Sequence, residues 1–311
     1  MLPEPLGAQL GDLGKSLAKG RVSIDNLRAI VAQFNDLEPA LAISAENEIA
    51  GRAELYRRSR PHRWWDILRL FASTDTELLL RTPELKELFI FHRDGRLREA
   101  ALNLFHDGLS SSFFVTALVL RGNDWVQEVR IAAAACARRV LPKTAPDIVA
   151  AALLVLLDRM WQWRRWGDEA VIIDAALSRP DVASRLAEKL RLARTGPTAR
   201  LLRRALHQPT LDAHLLALSQ TAFAPAVRAV ALQAMIEGHA SWRVGVEYRW
   251  IDKSMGKRVI VPKFETRSIH PLYPRELAIL QGAQDRSAAV RKIAAAGAVK
   301  YRTTLANLDE I

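Results

Sequence analysis

A single cysteine, Cys136, stands among 311 residues, which excludes a disulfide framework and a thiolate metal cluster. Long apolar runs are also missing. The longest, Ile148 to Leu157, is ten residues between two aspartates. A bilayer span needs about 20, so this run is expected to form a buried helix and no membrane partner is expected. The opening MLPEPLGAQLGDLGKSLAKG has no basic segment leading into an apolar one, so no secretory leader is expected and a cytoplasmic location is. Acid is in short supply: 34 Asp and Glu face 45 Lys and Arg, a net charge of +11. That excess favours an acidic partner, either nucleic acid or an acidic protein. Hydrophobic residues at 50% exclude bulk disorder.

Catalytic signatures are lacking as well. The chain has no Gly-x-Ser-x-Gly elbow, no P-loop and no Gly-x-Gly-x-x-Gly after a strand. The seven histidines are scattered; His207 and His214 are seven apart, with no carboxylate or thiol to complete a metal set. Cys136 lies in AAAACARR without an activating partner, as expected of a buried thiol. Asp168 and Glu169 are neighbours in sequence, so on a helix they point apart. No catalytic residue, metal ligand or cofactor is therefore assigned, and the chain is not expected to be an enzyme.

What is present is helix. Ser23 precedes SIDNLRAIVAQF, with apolar residues at helical spacing, and is expected to cap it. Further helices are expected over 40–58, from Pro83, and over 95–105, 124–140, 147–157, 168–177 and 182–192, with Pro, Gly or Asx at most junctions. One frame, V/L-R-x-x-A-x-x-A/L, recurs around Arg98, Arg130, Arg200, Arg228 and Arg291. The steps are 32, 70, 28 and 63 residues, or one unit, two units, one unit, and one unit plus about 30 residues. Such a period indicates stacked helix pairs.

These copies resemble HEAT repeats over about 83–302. The family commonly carries an Asp six residues before the Arg, and Asp124 with Arg130 and Asp285 with Arg291 match; His92 and Ala222 stand in that place before Arg98 and Arg228. The resemblance implies that Asp124, Arg130, Asp285 and Arg291 tie neighbouring repeats together. The expected fold is all-α, a right-handed α-solenoid of antiparallel helix pairs with one inserted β-hairpin. The expected organisation is an N-terminal helical region over 1–82, HEAT-like repeats over 83–240, a basic hairpin over 241–272, and a C-terminal repeat or cap over 273–311.

The hairpin is read from a change of period. In RVGVEYRWID, Val244, Val246, Tyr248 and Trp250 alternate with Arg243, Gly245, Glu247 and Arg249. DKSMGK supplies a turn, with Gly256 free to take positive φ, and KRVIVPKFETR returns. From Arg243 to Arg275 there are eight Lys and Arg against three acids. Arg249, Lys253, Lys257, Arg258 and Lys263 are the candidate nucleic-acid contacts here. A two-stranded ribbon is marginal alone, so it must pack on the helices or on a partner; a capping flap with a solvated charged side is the competing reading.

Two other basic stretches stand out. RMWQWRRWGDE places Arg164 and Arg165 among Trp161, Trp163 and Trp166, a pattern suited to stacking and phosphate contact; core tryptophans beside solvated arginines are the alternative. WWDILRLF resembles the catalytic helix of HEAT-like alkylpurine DNA glycosylases in Trp64, Trp65 and Asp66. The position of that family's essential Asp is Arg69 here, so the resemblance implies a DNA-binding scaffold without the glycosylase activity. Three functions follow in order: nucleic-acid binding, DNA before RNA; a protein–protein scaffold; and a relative of the glycosylases.

Overall fold

In the computed structural model, residues 1–56, 75–159, 171–269 and 273–302 are described. Among them are 17 α-helices, three short 3-10 helices and one two-stranded antiparallel sheet. None of these helices is long and apolar enough to cross a membrane. The contacts divide the chain into two compact units. Described residues 1–156 and 171–175 form the first; 157–159, 176–269 and 273–302 form the second.

The first unit is built on leucines and phenylalanines. The helix Glu4–Leu17 buries Leu6, Leu10, Leu13 and Leu17 at helical spacing. Its Gly14 lies so close to Ala53 that an added Cβ would sit 2.7 Å from the Ala53 carbonyl group. Ser23 caps the helix Ile24–Asn35 by accepting from the Asn26 amide, as its sequence position predicts. From that helix Phe34 stacks on Phe113 at 5.2 Å and meets Phe114 edge-on at 6.0 Å. Both partners come from Ser112–Arg121, a helix apolar on every side and buried along nearly its whole length. The helix expected over 40–58 is divided into Leu41–Ser44 and Glu46–Arg52. The ten-residue apolar run lies inside the helix Pro146–Arg159, where Val149, Leu153, Leu156 and Leu157 are buried.

In the second unit the helix Pro225–Glu237 is central. It packs against Thr198–Ala205, Leu215–Thr221, Arg275–Ala283 and Ala288–Tyr301. Gly238 ends it in the left-handed conformation, φ 70°, a cap that a Cβ would strain. The chain then leaves at once into β1 (His239–Asp252), turns, and returns in β2 (Lys257–Ser268).

An arginine contact recurs in both units. Arg98, Arg130, Arg228 and Arg291 each donate from Nη1 to the carbonyl six residues earlier, at 2.7, 2.9, 2.8 and 2.8 Å. Those carbonyls belong to the turns before the helices that carry the arginines, where backbone acceptors lack helical partners. The contact uses only a backbone oxygen, so it forms over His92 and Ala222 as readily as over an aspartate. The aspartates do something further. Asp124 accepts from Nε and Nη2 of Arg98 at 2.8 and 2.7 Å, and Asp285 accepts from the same atoms of Arg228 at 2.7 and 2.9 Å. Each also accepts the amide two residues ahead, from Val126 and Ser287. The two ties span 26 and 57 residues. The difference, 57 − 26 = 31, is close to the length of the ribbon between His239 and Ser268. Arg200 departs from the pattern and pairs with Asp158.

Candidate nucleic-acid interface

The β-ribbon is held at its base and exposed beyond it. Ala240 is buried, Trp242 is half-buried with its ring 6.1 Å from that of His207, and Ile269 donates its amide to the Gly238 carbonyl at 2.9 Å. Arg267 is the anchor. It donates to the carbonyls of Leu206 and Gln208, at 2.7 and 3.0 Å, and through Nη1 and Nη2 to the Asp212 carboxylate. The turn is closed by Asp252, whose Oδ1 accepts from the Ser254 amide and hydroxyl and the Met255 amide. These bonds, the serine hydroxyl foremost, hold its carboxyl below the usual carboxylate range. Gly256 takes φ 66°, as the turn requires.

The five hairpin candidates all lie on this arm. Arg249, Lys253, Lys257, Arg258 and Lys263 are exposed. Arg249 approaches Glu247 at 3.7 Å. Lys253, Lys257, Arg258 and Lys263 have no acidic partner within 4 Å among the described residues; the first three cluster at the tip and Lys263 lies near the middle of the arm. Arg164 and Arg165, the three tryptophans beside them, and Asp168 and Glu169 lie outside the described residues, as do Trp64, Trp65, Asp66 and Arg69.

The remaining singled-out residues lie in the helical body, Asp124 and Cys136 buried, Asp285 and His214 half-buried. Asp124 and Asp285 are committed to the arginine ties, and Asp285 stays ionised below the usual range. Burial alone would raise it, but the Arg228 hydrogen bonds and the Ser287 amide outweigh that cost. Cys136 is buried and its thiol is pushed up to about 12 by desolvation. His214 is shifted down by burial. Among the described residues no three His, Cys, Asp or Glu side chains gather as metal ligands would.

The sequence pattern assigns no role to the aromatics of the arm, which the structure leaves exposed. Tyr248 and Trp250 serve there only to reveal the period, and an amphipathic strand is ordinarily taken to bury its apolar face. Instead Val246, Tyr248, Trp250, Ile260 and Phe264 are between 49% and 60% exposed. The signal is the same alternation, read with the ribbon's isolation: among the described residues the sheet has two strands, with no third to cover it.

No family model matches the chain, and no curated protein or solved structure proves similar to it.

Proposed function

We propose that this chain is a non-catalytic, HEAT-like α-solenoid of the cytoplasm that binds nucleic acid, DNA in preference to RNA, through the basic β-ribbon. The observation that carries this reading is the arm itself: a ribbon anchored at its base, on which Lys253, Lys257, Arg258 and Lys263 are exposed with no carboxylate within 4 Å among the described residues, beside exposed aromatic rings. Cations in this state exchange hydration and counterions for phosphates with little to break first. The recurrent arginine contact to the carbonyl six residues back supports the repeat reading, and the sequence period supports the solenoid. The preference for DNA rests on the short resemblance at Trp64, Trp65 and Asp66.

Fluorescence anisotropy of labelled DNA at several salt concentrations tests the proposal. If all five cations meet phosphates, the log–log salt slope on duplex approaches about −4.5, since each contact adds about −0.9. Reversing Lys253, Lys257 and Arg258 to Glu is expected to weaken binding at least 100-fold. Affinity unchanged in that triple variant, or wild-type binding no tighter than roughly 10⁻⁴ M at physiological salt, sinks the reading. A second reading, a scaffold for an acidic protein, is favoured by the apolar side chains on the same arm. A stoichiometric protein partner retained after nuclease treatment and high salt would select it instead.

A further inference from the structure

The two faces of the ribbon differ in charge, and this sorting points to the form of the ligand. Residues paired across an antiparallel ladder share a face. The pairs Trp250 with Arg258, Tyr248 with Ile260, Val246 with Pro262 and Arg243 with Phe264 therefore make one face. The pairs Asp252 with Lys257, Arg249 with Val259, Glu247 with Val261, Gly245 with Lys263 and Trp242 with Glu265 make the other. All three acids of the ribbon fall on the second face, and the first carries only Arg243 and Arg258 as charges. At the base it is the second face, through Ala240 and Arg267, that turns to the helices. The side chains of the aromatic face, Val246, Tyr248, Trp250, Ile260 and Phe264, stay about half exposed.

Nor are the rings and cations of that face independent. The Arg258 guanidinium lies 4.3 Å from the centroid of the Tyr248 ring, and Trp250 is directly opposite Arg258. This forms a shelf of indole, guanidinium and phenol without an acid beside it. Guanidinium planes and aromatic rings are the two kinds of surface on which unpaired bases stack. A second copy of the chain would bring Arg243 and Arg258 against the same two cations, with no carboxylate to meet them. An anionic partner with flat apolar groups suits the face; a paired duplex hides such groups within its own stack.

Resting on the reading of the arm as a nucleic-acid contact, we infer that the ribbon binds single-stranded DNA on its aromatic face. Unpaired bases stack on Tyr248 and Trp250, Arg258 and Arg243 hold phosphates on that face, and Lys253 in the turn and Lys257 on the opposite face hold the strand where it passes round the tip.

The test compares a labelled oligothymidine with a duplex of equal length, titrated with wild type, Tyr248→Ala/Trp250→Ala, Tyr248→Phe/Trp250→Phe, and the triple Glu variant. Both rings are exposed, so their truncation leaves the core intact, and circular dichroism confirms it. The wild type is expected to bind the single strand about tenfold tighter than the duplex. The double alanine variant is expected to lose single-strand affinity by roughly 10-fold or more, as the loss of one to two base stacks implies, while duplex binding changes less than threefold. The double phenylalanine variant recovers most of the loss. If the alanine variant binds the single strand normally and the triple Glu variant does not, the arm contacts nucleic acid but the stacking inference is overturned. If wild type binds neither DNA, the functional proposal falls with it. A wild-type dimer that the alanine substitutions convert to monomer assigns the face to a second copy and overturns the inference.

Discussion

Cutting the Arg228–Asp285 tie from its two ends should cost unequal amounts, and cutting both at once should cost less than the sum. Arg228 is 1% exposed and spends its guanidinium on the Asp285 carboxylate and the carbonyls of Ala222 and Phe223. Asp285→Ala leaves that buried cation without a counter-charge, which costs about 3–5 kcal/mol. Arg228→Met removes the cation but keeps apolar volume, and leaves Asp285, at the edge of solvent, with the Ser287 amide. About 2–3 kcal/mol is expected. In the double variant no buried charge is stranded, so the loss should not exceed that of Asp285→Ala, giving a coupling energy of at least about 2 kcal/mol. Urea unfolding followed by circular dichroism measures it. With a slope of about 2–3 kcal/mol/M, Asp285→Ala lowers the midpoint of the second unit's transition by roughly 1–2 M. A shift below about 0.3 M, or two single losses that simply add, would refute the assignment of this pair as a buried, mutually dependent tie.

The same carboxylate makes a pH prediction. Its folded pKa is depressed, so the stability it contributes is complete above its ordinary value of 3.8 and disappears as pH falls through the folded value. The advantage of wild type over Asp285→Asn in urea is therefore flat above about pH 4 and shrinks at more acid pH. Cys136, buried and with its thiol near 12, should not react with a disulfide reagent in the native protein and should react fully in denaturant; rapid native labelling at pH 8 would contradict its place in the core. Gly14→Ala drives a methyl against the Ala53 backbone, which cannot rotate away, and should cost about 1–3 kcal/mol in the first unit's transition. Arg267→Ala should leave the helices stable but raise hydrogen exchange of the β1 and β2 amides, and unchanged protection would show that the anchor is elsewhere.

The elements legible in the sequence are those whose period is visible locally. Ser23 announced its helix by residue type, and the ribbon announced itself by alternation and by DKSMGK. The helix Ser112–Arg121 escaped because its apolar residues surround it, so no face stands out. In Glu4–Leu17 the leucines Leu6, Leu10, Leu13 and Leu17 carry the helical spacing, but its glycines and proline obscure the pattern. The Asp–Arg spacing of six points to the right aspartates but to the wrong arginines: Arg130 and Arg291 bond the backbone carbonyls of Asp124 and Asp285, not their carboxylates. The partner of each carboxylate is an arginine 26 or 57 positions upstream, which only the packing of helices reveals. For the arm, its cations could be named from composition, whereas the uncovered state of its aromatic face depends on what packs nearby.

The ribbon enters and leaves the helical body at a single point. Gly238 ends the helix before it, and the Ile269 amide bonds the Gly238 carbonyl across the gap at 2.9 Å. Everything beyond Trp242 and Arg267 hangs from that junction, the Arg267 clasp and the packing of Ala240 and Trp242, while the Arg228–Asp285 tie forms across the ribbon's insertion as the Arg98–Asp124 tie does without any ribbon. The contacts to the helices are confined to the arm's base, through Ala240, Trp242 and Arg267, so the length and composition of the outer part bear on none of them. Such a junction is a docking port for evolution: one arm can be exchanged for another, or transplanted whole onto a different scaffold, without redesigning the helices that hold it.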